Sequence, residues 1–200
     1  MNFYELNILG LKRDLPILKT PSGITIAGFN PVGDINLLKR AGEDLADQLR
    51  FSGIKFDIIL TTEFKGLPIA QEVARNLNCD YVCLRKDKKC YMLNPKHTNG
   101  GSITSGKSDY YICELDLAKL RNKRVVFVDD VFSTGSTLNS MLEFAKTEYF
   151  KLVCGLFILK EGSKNDLSFK FNDLPMYCSG FLPLPEQSFN AIHQNYEKEF

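Results

Sequence analysis

Short, β-branched apolar runs alternate along this chain with segments of helical period, and that alternation leaves few architectures open. Phe56-Asp57-Ile58-Ile59-Leu60-Thr61, Tyr81-Val82-Cys83-Leu84, Arg124-Val125-Val126-Phe127-Val128 and Leu152–Leu159 read as buried strands. A helix is expected from Asp34, a good N-cap residue, to about Phe51, because Ile35, Leu38, Gly42, Leu45 and Leu49 recur at three- and four-residue steps. A second helix follows the turn Thr62–Gly66, with Pro68 tolerated in its first turn and Ala70, Val73, Ala74 and Leu77 facing inward. A third runs from about Ser136 to Glu148. Strand, helix, strand, repeated, predicts an α/β fold with a doubly wound, mostly parallel sheet. The 200 residues suit one domain spanning 1–200, and a chain of this size buries about 70% of its unfolded surface.

Outside those elements the patterns weaken. Residues 1–33 are broken by Pro16, Pro21, Gly23, Gly28 and Pro31 and read as irregular structure, with one hairpin strand at Ile24–Ala27. Lys88–Tyr111 is polar, holds Gly100-Gly101 and Gly106, and lacks a sustained apolar period; a span that long inside a compact domain is usually functional or mobile. The tail alternates short strands with Pro175, Pro183 and Pro185.

Composition excludes more than it assigns. Lys+Arg is 25 against 24 Asp+Glu, so bulk charge draws the chain to neither nucleic acid nor membrane, and any anion site has to be built locally. The six cysteines form no C-x-x-C pair and no ligand cluster with His97 or His193, which favours scattered reduced thiols over a disulfide frame. The N-terminus lacks a signal-peptide pattern and no apolar run approaches the roughly 20 residues of a membrane span. A cytoplasmic location is the expectation.

In open α/β sheets ligands bind beyond the carboxyl ends of the strands, which directs attention to Thr62–Gly66, Arg85–Lys89, Asp129–Thr137 and Lys160–Gly162. The most informative stretch is Val125-Val126-Phe127-Val128-Asp129-Asp130-Val131-Phe132-Ser133-Thr134-Gly135-Ser136-Thr137. Gly135 lets the chain turn closely around a ligand, Ser133, Thr134, Ser136 and Thr137 supply hydroxyls, and the following helix offers unpaired amides. This is a phosphate cradle. The helix dipole contributes only about 0.3–1 kcal/mol, so converging hydrogen bonds must carry the affinity. Adjacent carboxylates would repel a bare phosphate; they make sense if a ribose lies between, its hydroxyls donating to Asp129 and Asp130.

This segment resembles the phosphoribosyl pyrophosphate (PRPP) motif of the type I phosphoribosyltransferases, purine branch. The resemblance implies that family's fold, with a small hood formed by about residues 1–33 and a contribution from 160–200, and a flexible lid at about 88–114. It implies that Asp129 and Asp130 hold the ribose and that Ser133, Thr134, Gly135, Ser136 and Thr137 hold the 5′-phosphate. Thr62-Glu63-Phe64-Lys65-Gly66 is similar to the family's pyrophosphate loop, and Leu84-Arg85-Lys86-Asp87-Lys88-Lys89 to the basic segment of the adenine and xanthine enzymes. Glu63, Lys65, Gly66, Arg85, Lys86 and Lys89 are therefore expected at the PRPP site, where positive charge suits a leaving group that gains negative charge. Within the lid, Lys107, Tyr110 and Tyr111 are candidates to close on the ligand, unranked.

For the base, Asn30 before Pro31 resembles the arrangement in xanthine phosphoribosyltransferases. Lys160 falls where 6-oxopurine enzymes place a lysine, with Glu161 an alternative register, and an ammonium has donors only, which suits a carbonyl. Val131 would pack on the ring face. Ser133 stands where hypoxanthine-guanine enzymes carry an acid, which makes that subgroup less expected and fits the adenine and xanthine groups alike; Asn30 and Lys160 turn the expectation toward xanthine or another 6-oxopurine, with adenine the alternative. Mg²⁺ carried by PRPP, and bound through water to Asp129 or Asp130, is the implied cofactor; a homodimer is the implied assembly. The rival from another class is a PRPP-sensing regulator without catalysis, although no helix-turn-helix pattern or basic face is present. A non-PRPP nucleotide binder is disfavoured because neither G-x-G-x-x-G nor G-K-[ST] occurs.

Overall fold

The computed structural model describes residues 2–20, 23, 25–98, 110–162 and 166–182. Its main sheet has six strands in the order β10-β11-β9-β8-β4-β5. β4 (Ile58–Thr62), β5 (Tyr81–Leu84), β8 (Arg124–Phe132), β9 (Lys151–Glu161) and β11 (Leu174–Leu182) are mutually parallel, and β10 (Ser168–Phe171) closes one edge antiparallel to β11. Helices α1 (Ile35–Ser52) and α2 (Gly66–Leu77) cover one face; α3 (Glu114–Leu120) and α4 (Ser136–Thr147) cover the other. This is the doubly wound sheet expected from the sequence.

Each central strand is buried on both sides, which explains its unbroken apolar run. Val126 and Val128 join α1 and α2 in one cluster, whereas Val125 and Phe127 join α3 and α4 in the other. The period of two along β8 thus divides its side chains between the two helical layers. α1 and α2 pack closely because Gly42 has no side chain: a Cβ there would lie 2.5 Å from that of Glu72.

The N-terminal region differs from its expectation. Instead of irregular structure with one strand, β1 (Phe3–Ile8), β2 (Leu11–Lys19) and β3 (Thr25–Ala27) form an antiparallel sheet. Pro16 is accommodated in β2 because it pairs with Phe3, the first residue of β1, where a missing N–H costs little. Leu6, Ile8, Leu15, Ala27 and Phe29 are buried in the same cluster as α1 and β9, so the small sheet is fixed to the main core.

The polar segment after β5 contains a short ladder of β6 (Lys96–His97) with β7 (Tyr111–Ile112). Residues 99–109, including Lys107, and residues 183–200 of the expected C-terminal hood contribution lie outside the described residues. Among the described residues no helix is long and apolar enough to cross a membrane. The six cysteines are free. Burial raises the thiol pKa of Cys83 and Cys178 to about 11 and that of Cys154 to about 12, so these three are protonated at neutral pH.

Candidate functional site

The carboxyl ends of β4, β5, β8 and β9 bring the expected loops to one edge of the sheet. β8 runs further than its apolar pattern indicates, through Asp129 and Asp130 to Phe132. Asp129 pairs with Phe157, Val131 with Leu159 and Phe132 with Lys160, so the acids stand on a strand and not in the following loop. Strand pairing fixes their backbone more firmly than a loop would.

The two carboxylates have unlike surroundings. Asp129 Oδ2 accepts from the Thr62 hydroxyl at 3.4 Å, and its Oδ1 accepts from the Asp130 amide at 2.9 Å. Its carboxyl pKa is held well above the ordinary range, first by burial and then by the charge of Asp130. Asp130 faces the Lys65 ammonium at 3.7 Å. Gly66 permits this crowding: a Cβ there would lie 2.5 Å from Asp129 Oδ1 and 2.6 Å from Thr61 Oγ1. The amino end of α2 therefore approaches the acids as no other residue type would allow.

The loop expected to hold phosphate follows β8 directly. Gly135 has φ +80°, a conformation that side chains resist, and forms the N-cap of α4. No side chain caps α4 or α2. The Thr134 hydroxyl accepts from the Ser136 amide at 3.4 Å, and Ser133, Thr134 and Ser136 are exposed. Two uncapped helix ends thus flank the acidic pair, with amides directed at the place where an anion would sit.

Lys65 and Glu63 carry out tasks that sequence alone left open. The Lys65 ammonium donates to the Phe29 carbonyl at 2.8 Å while facing Asp130, linking the N-terminal region to the acidic pair. Glu63 accepts from the Lys86 amide at 3.1 Å and lies 3.5 Å from the Arg85 guanidinium. It organises the basic segment, and as an anion it is poorly suited to touch pyrophosphate itself. Arg85 also exchanges backbone hydrogen bonds with Tyr111 at 2.9 and 2.6 Å. Lys89 lies 3.6 Å from Asp87, at the outer end of that segment.

Of the two unranked lid candidates among the described residues, Tyr110 is buried and Tyr111 is half-buried. Tyr110 is 6% exposed, and its hydroxyl lies beside Thr62 at the end of β4 and Thr137 at the start of α4. Burial raises its phenol pKa. Its backbone is gripped by Thr98, whose amide donates to the Tyr110 carbonyl at 2.8 Å and whose hydroxyl accepts from the Tyr110 amide at 3.1 Å. Only three-dimensional pairing across the polar segment reveals this; the signal in sequence was no more than an aromatic pair near its end.

The candidate base residues are more dispersed. Asn30 is exposed, and its side-chain oxygen accepts from the Val32 amide at 3.4 Å, closing a turn around Pro31. Val131 is half-buried against the cluster that includes α1. The Lys160 ammonium rests over the Phe169 ring, 4.0 Å from its centroid, a cation–π contact.

The fold is matched in known proteins. Residues 30–170 match the phosphoribosyl transferase domain family. The adenine phosphoribosyltransferase of Corynebacterium jeikeium is 30% identical over 156 residues, covering 78% of this chain and 73% of that protein. A probable purine biosynthesis transcriptional regulator, PurR, of Streptococcus pneumoniae is 29% identical over 139 residues; the match covers 68% of this chain and 48% of that relative, about half its length. The adenine phosphoribosyltransferase structure from Trypanosoma brucei, in complex with AMP, pyrophosphate and ribose-5-phosphate, superposes with a TM-score of 0.61 at 17% identity, covering 86% of this chain and 76% of that one. With the family match spanning most of the chain and the acidic strand end joined to an uncapped helix, this chain belongs to the phosphoribosyl transferase domain family.

Proposed function

We propose that the chain transfers the 5-phosphoribosyl group of PRPP to a purine base, giving a nucleoside monophosphate and pyrophosphate. The observation that carries this reading is the acidic strand end set between two uncapped helix N-termini. One helix end would receive the 5′-phosphate at Ser133–Thr137; the other, at Lys65 and Gly66, would receive the pyrophosphate with help from Arg85 and Lys86. Asp129 and Asp130 would accept hydrogen bonds from the ribose hydroxyls.

In the proposed reaction a purine ring nitrogen attacks the anomeric carbon as the carbon–oxygen bond to pyrophosphate breaks. The bond's electron pair leaves with pyrophosphate, and the purine gives its displaced proton to solvent. The leaving group gains charge, so cations fixed near it favour the transition state over the ground state. No covalent enzyme intermediate is required, and the protonated state of Cys83, Cys154 and Cys178 suits none of them to be a nucleophile. Positioning supplies the remainder of the rate.

Among the described residues no group of three or more His, Cys, Asp or Glu side chains could hold a metal ion. The paired oxygens of Asp129 and Asp130 nevertheless fit a Mg²⁺ ion that arrives chelated by PRPP and touches the protein through water. Such an ion would neutralise charge on the pyrophosphate.

Lys160 is placed here as the donor to the O6 of xanthine or another 6-oxopurine, a role that requires its ammonium to leave the Phe169 ring. The adenine phosphoribosyltransferase relative supports adenine as the alternative base. A PRPP-sensing role without transfer is the second reading, favoured by the similarity to the pneumococcal regulator. Incubation of the protein with PRPP, Mg²⁺ and each of xanthine, hypoxanthine, guanine and adenine, followed by mass spectrometry, decides among them. A nucleoside monophosphate names the base. Tight PRPP binding with no nucleotide from any base would transfer the assignment to the sensing role.

A further inference from the structure

The turn that cradles the phosphate is supported by a hairpin that the proposed chemistry does not use. β10 and β11 meet at Asn172 and Asp173, both at positive φ, and this corner lies against the phosphate loop. The ring of Phe171 occupies the space where a Gly135 side chain would be: a Cβ there would lie 2.4 Å from Cζ and 2.6 Å from Cε2. Gly135 is consequently buried between exposed neighbours, Thr134 and Ser136. On the entry side of the turn, Phe132 packs edge-on against Phe171 at 5.3 Å and against Phe169 at 5.1 Å. On the exit side, Asn172 Nδ2 donates to Asn139 Oδ1 at 2.9 Å, in the first turn of α4. The hairpin therefore touches the loop before, at and after its glycine.

We infer that Phe171 is a positioning residue for phosphoribosyl binding, its ring holding Gly135 in the left-handed turn that aims the α4 amides at the phosphate. The physical need is specific. Glycine has more backbone freedom to lose than any other residue, and a small-residue loop left unsupported would have to be ordered by the ligand at the expense of affinity. Packing a rigid ring against the glycine moves that ordering into folding. The contact also makes Gly135 doubly obligatory, by its φ and by the ring beneath it.

This inference rests on the phosphoribosyl-binding part of the proposed function and not on transfer to a purine. The test is isothermal titration of ribose 5-phosphate into the wild-type protein, Phe171→Ala and Phe171→Tyr, with thermal melting of each. Phe171→Ala is expected to weaken binding roughly tenfold or more, as misplaced contacts do, while Phe171→Tyr, which keeps the ring, stays within about twofold of wild type on the same grounds. In a turnover assay the loss should enter the KM for PRPP and leave that for the base unchanged. A folded Phe171→Ala protein with wild-type or tighter affinity overturns the inference, since the ring would then be only a cover, or an obstruction. Should Phe171→Ala fail to fold, Phe171→Leu keeps apolar bulk without the flat ring; weakened binding in the folded protein supports the role, and unchanged binding overturns it. Wild-type protein that binds ribose 5-phosphate but makes no nucleotide sinks only the transfer reading. Wild-type protein that does not bind ribose 5-phosphate sinks both.

Discussion

The amino ends of α1 and α4 face the same problem and solve it in opposite ways. Each begins with backbone amides that have no partner inside the helix. At α1 the protein satisfies them itself: Asp34 Oδ1 accepts from the Leu37 amide at 3.2 Å, and Arg13 holds the same carboxylate through Nε at 2.5 Å and through its second terminal nitrogen at 3.0 Å. That guanidinium, foremost, keeps the Asp34 carboxyl below its ordinary pKa. At α4 the N-cap is Gly135, which has no side chain to offer, and only the Ser136 amide finds a side-chain acceptor, the Thr134 hydroxyl at 3.4 Å. The first arrangement stabilises the fold. The second leaves most of the anion-binding capacity unspent, and at α2 too the N-cap residue makes no side-chain cap.

Substitutions should separate these two kinds of helix start. Asp130→Asn, beside the open end, should lower kcat/KM by about 10²–10³-fold, the scale of losing one preorganised electrostatic contact, with little change in melting temperature. Gly135→Ala should cost roughly 10²-fold in PRPP-dependent turnover, because the added methyl meets both an adverse φ and the Phe171 ring. Tyr110→Phe deletes a hydroxyl set beside Thr62 and Thr137 and should raise the KM for PRPP about two- to tenfold, the scale of one hydrogen bond. Asp34→Ala should do the reverse of all three: chemical denaturation should show a loss of about 0.5–2 kcal/mol, with turnover per folded molecule unchanged.

Titration sharpens the contrast further. Asp34, with its lowered pKa, contributes stability that is present above the unfolded carboxylate range and lost as pH falls through the folded value. Asp129, with its raised pKa, does the opposite. The folded state binds its proton more tightly than the unfolded chain, so ionising it costs stability in full above the folded value, and that cost vanishes below the unfolded one. Asp129→Asn should therefore raise the melting temperature at pH 8, with an advantage that shrinks as the pH falls toward 4. A uniform shift at all pH values would show that burial of the charge is not what strains this site.

Much of this was legible in sequence because it depends on local pattern. The stripe of Leu38, Gly42, Leu45 and Leu49 announces α1, the uniform apolarity of Val125–Val128 announces a strand covered on both faces, and Asp34 announces a cap. The turn at Gly135 and the start of α4 were readable for the same reason, since the hydroxyls, the glycine and the helix are contiguous. Contacts distant in sequence were not readable. The three-stranded N-terminal sheet escaped because Pro16 is tolerated only through its pairing with the end of β1. The commitment of Glu63 to Arg85 and Lys86, and the grip of Thr98 on Tyr110, join residues whose partnership depends on where β4, β5 and β7 come to lie. Lys160 was expected just past a strand ending at Leu159, whereas β9 continues through Glu161, and the Phe169 ring beneath its ammonium belongs to a hairpin that turns back from further along the chain.

The contrast between the two helix starts can be read residue by residue in an amide nitrogen–proton NMR titration with ribose 5-phosphate. The amides of Gly135, Ser136 and Thr137 should shift strongly and together at saturating ligand, while those of Ile35, Asn36 and Leu37 at the capped end of α1 stay in place. Shifts confined to other loops, with the 135–137 amides unmoved, would contradict this contrast.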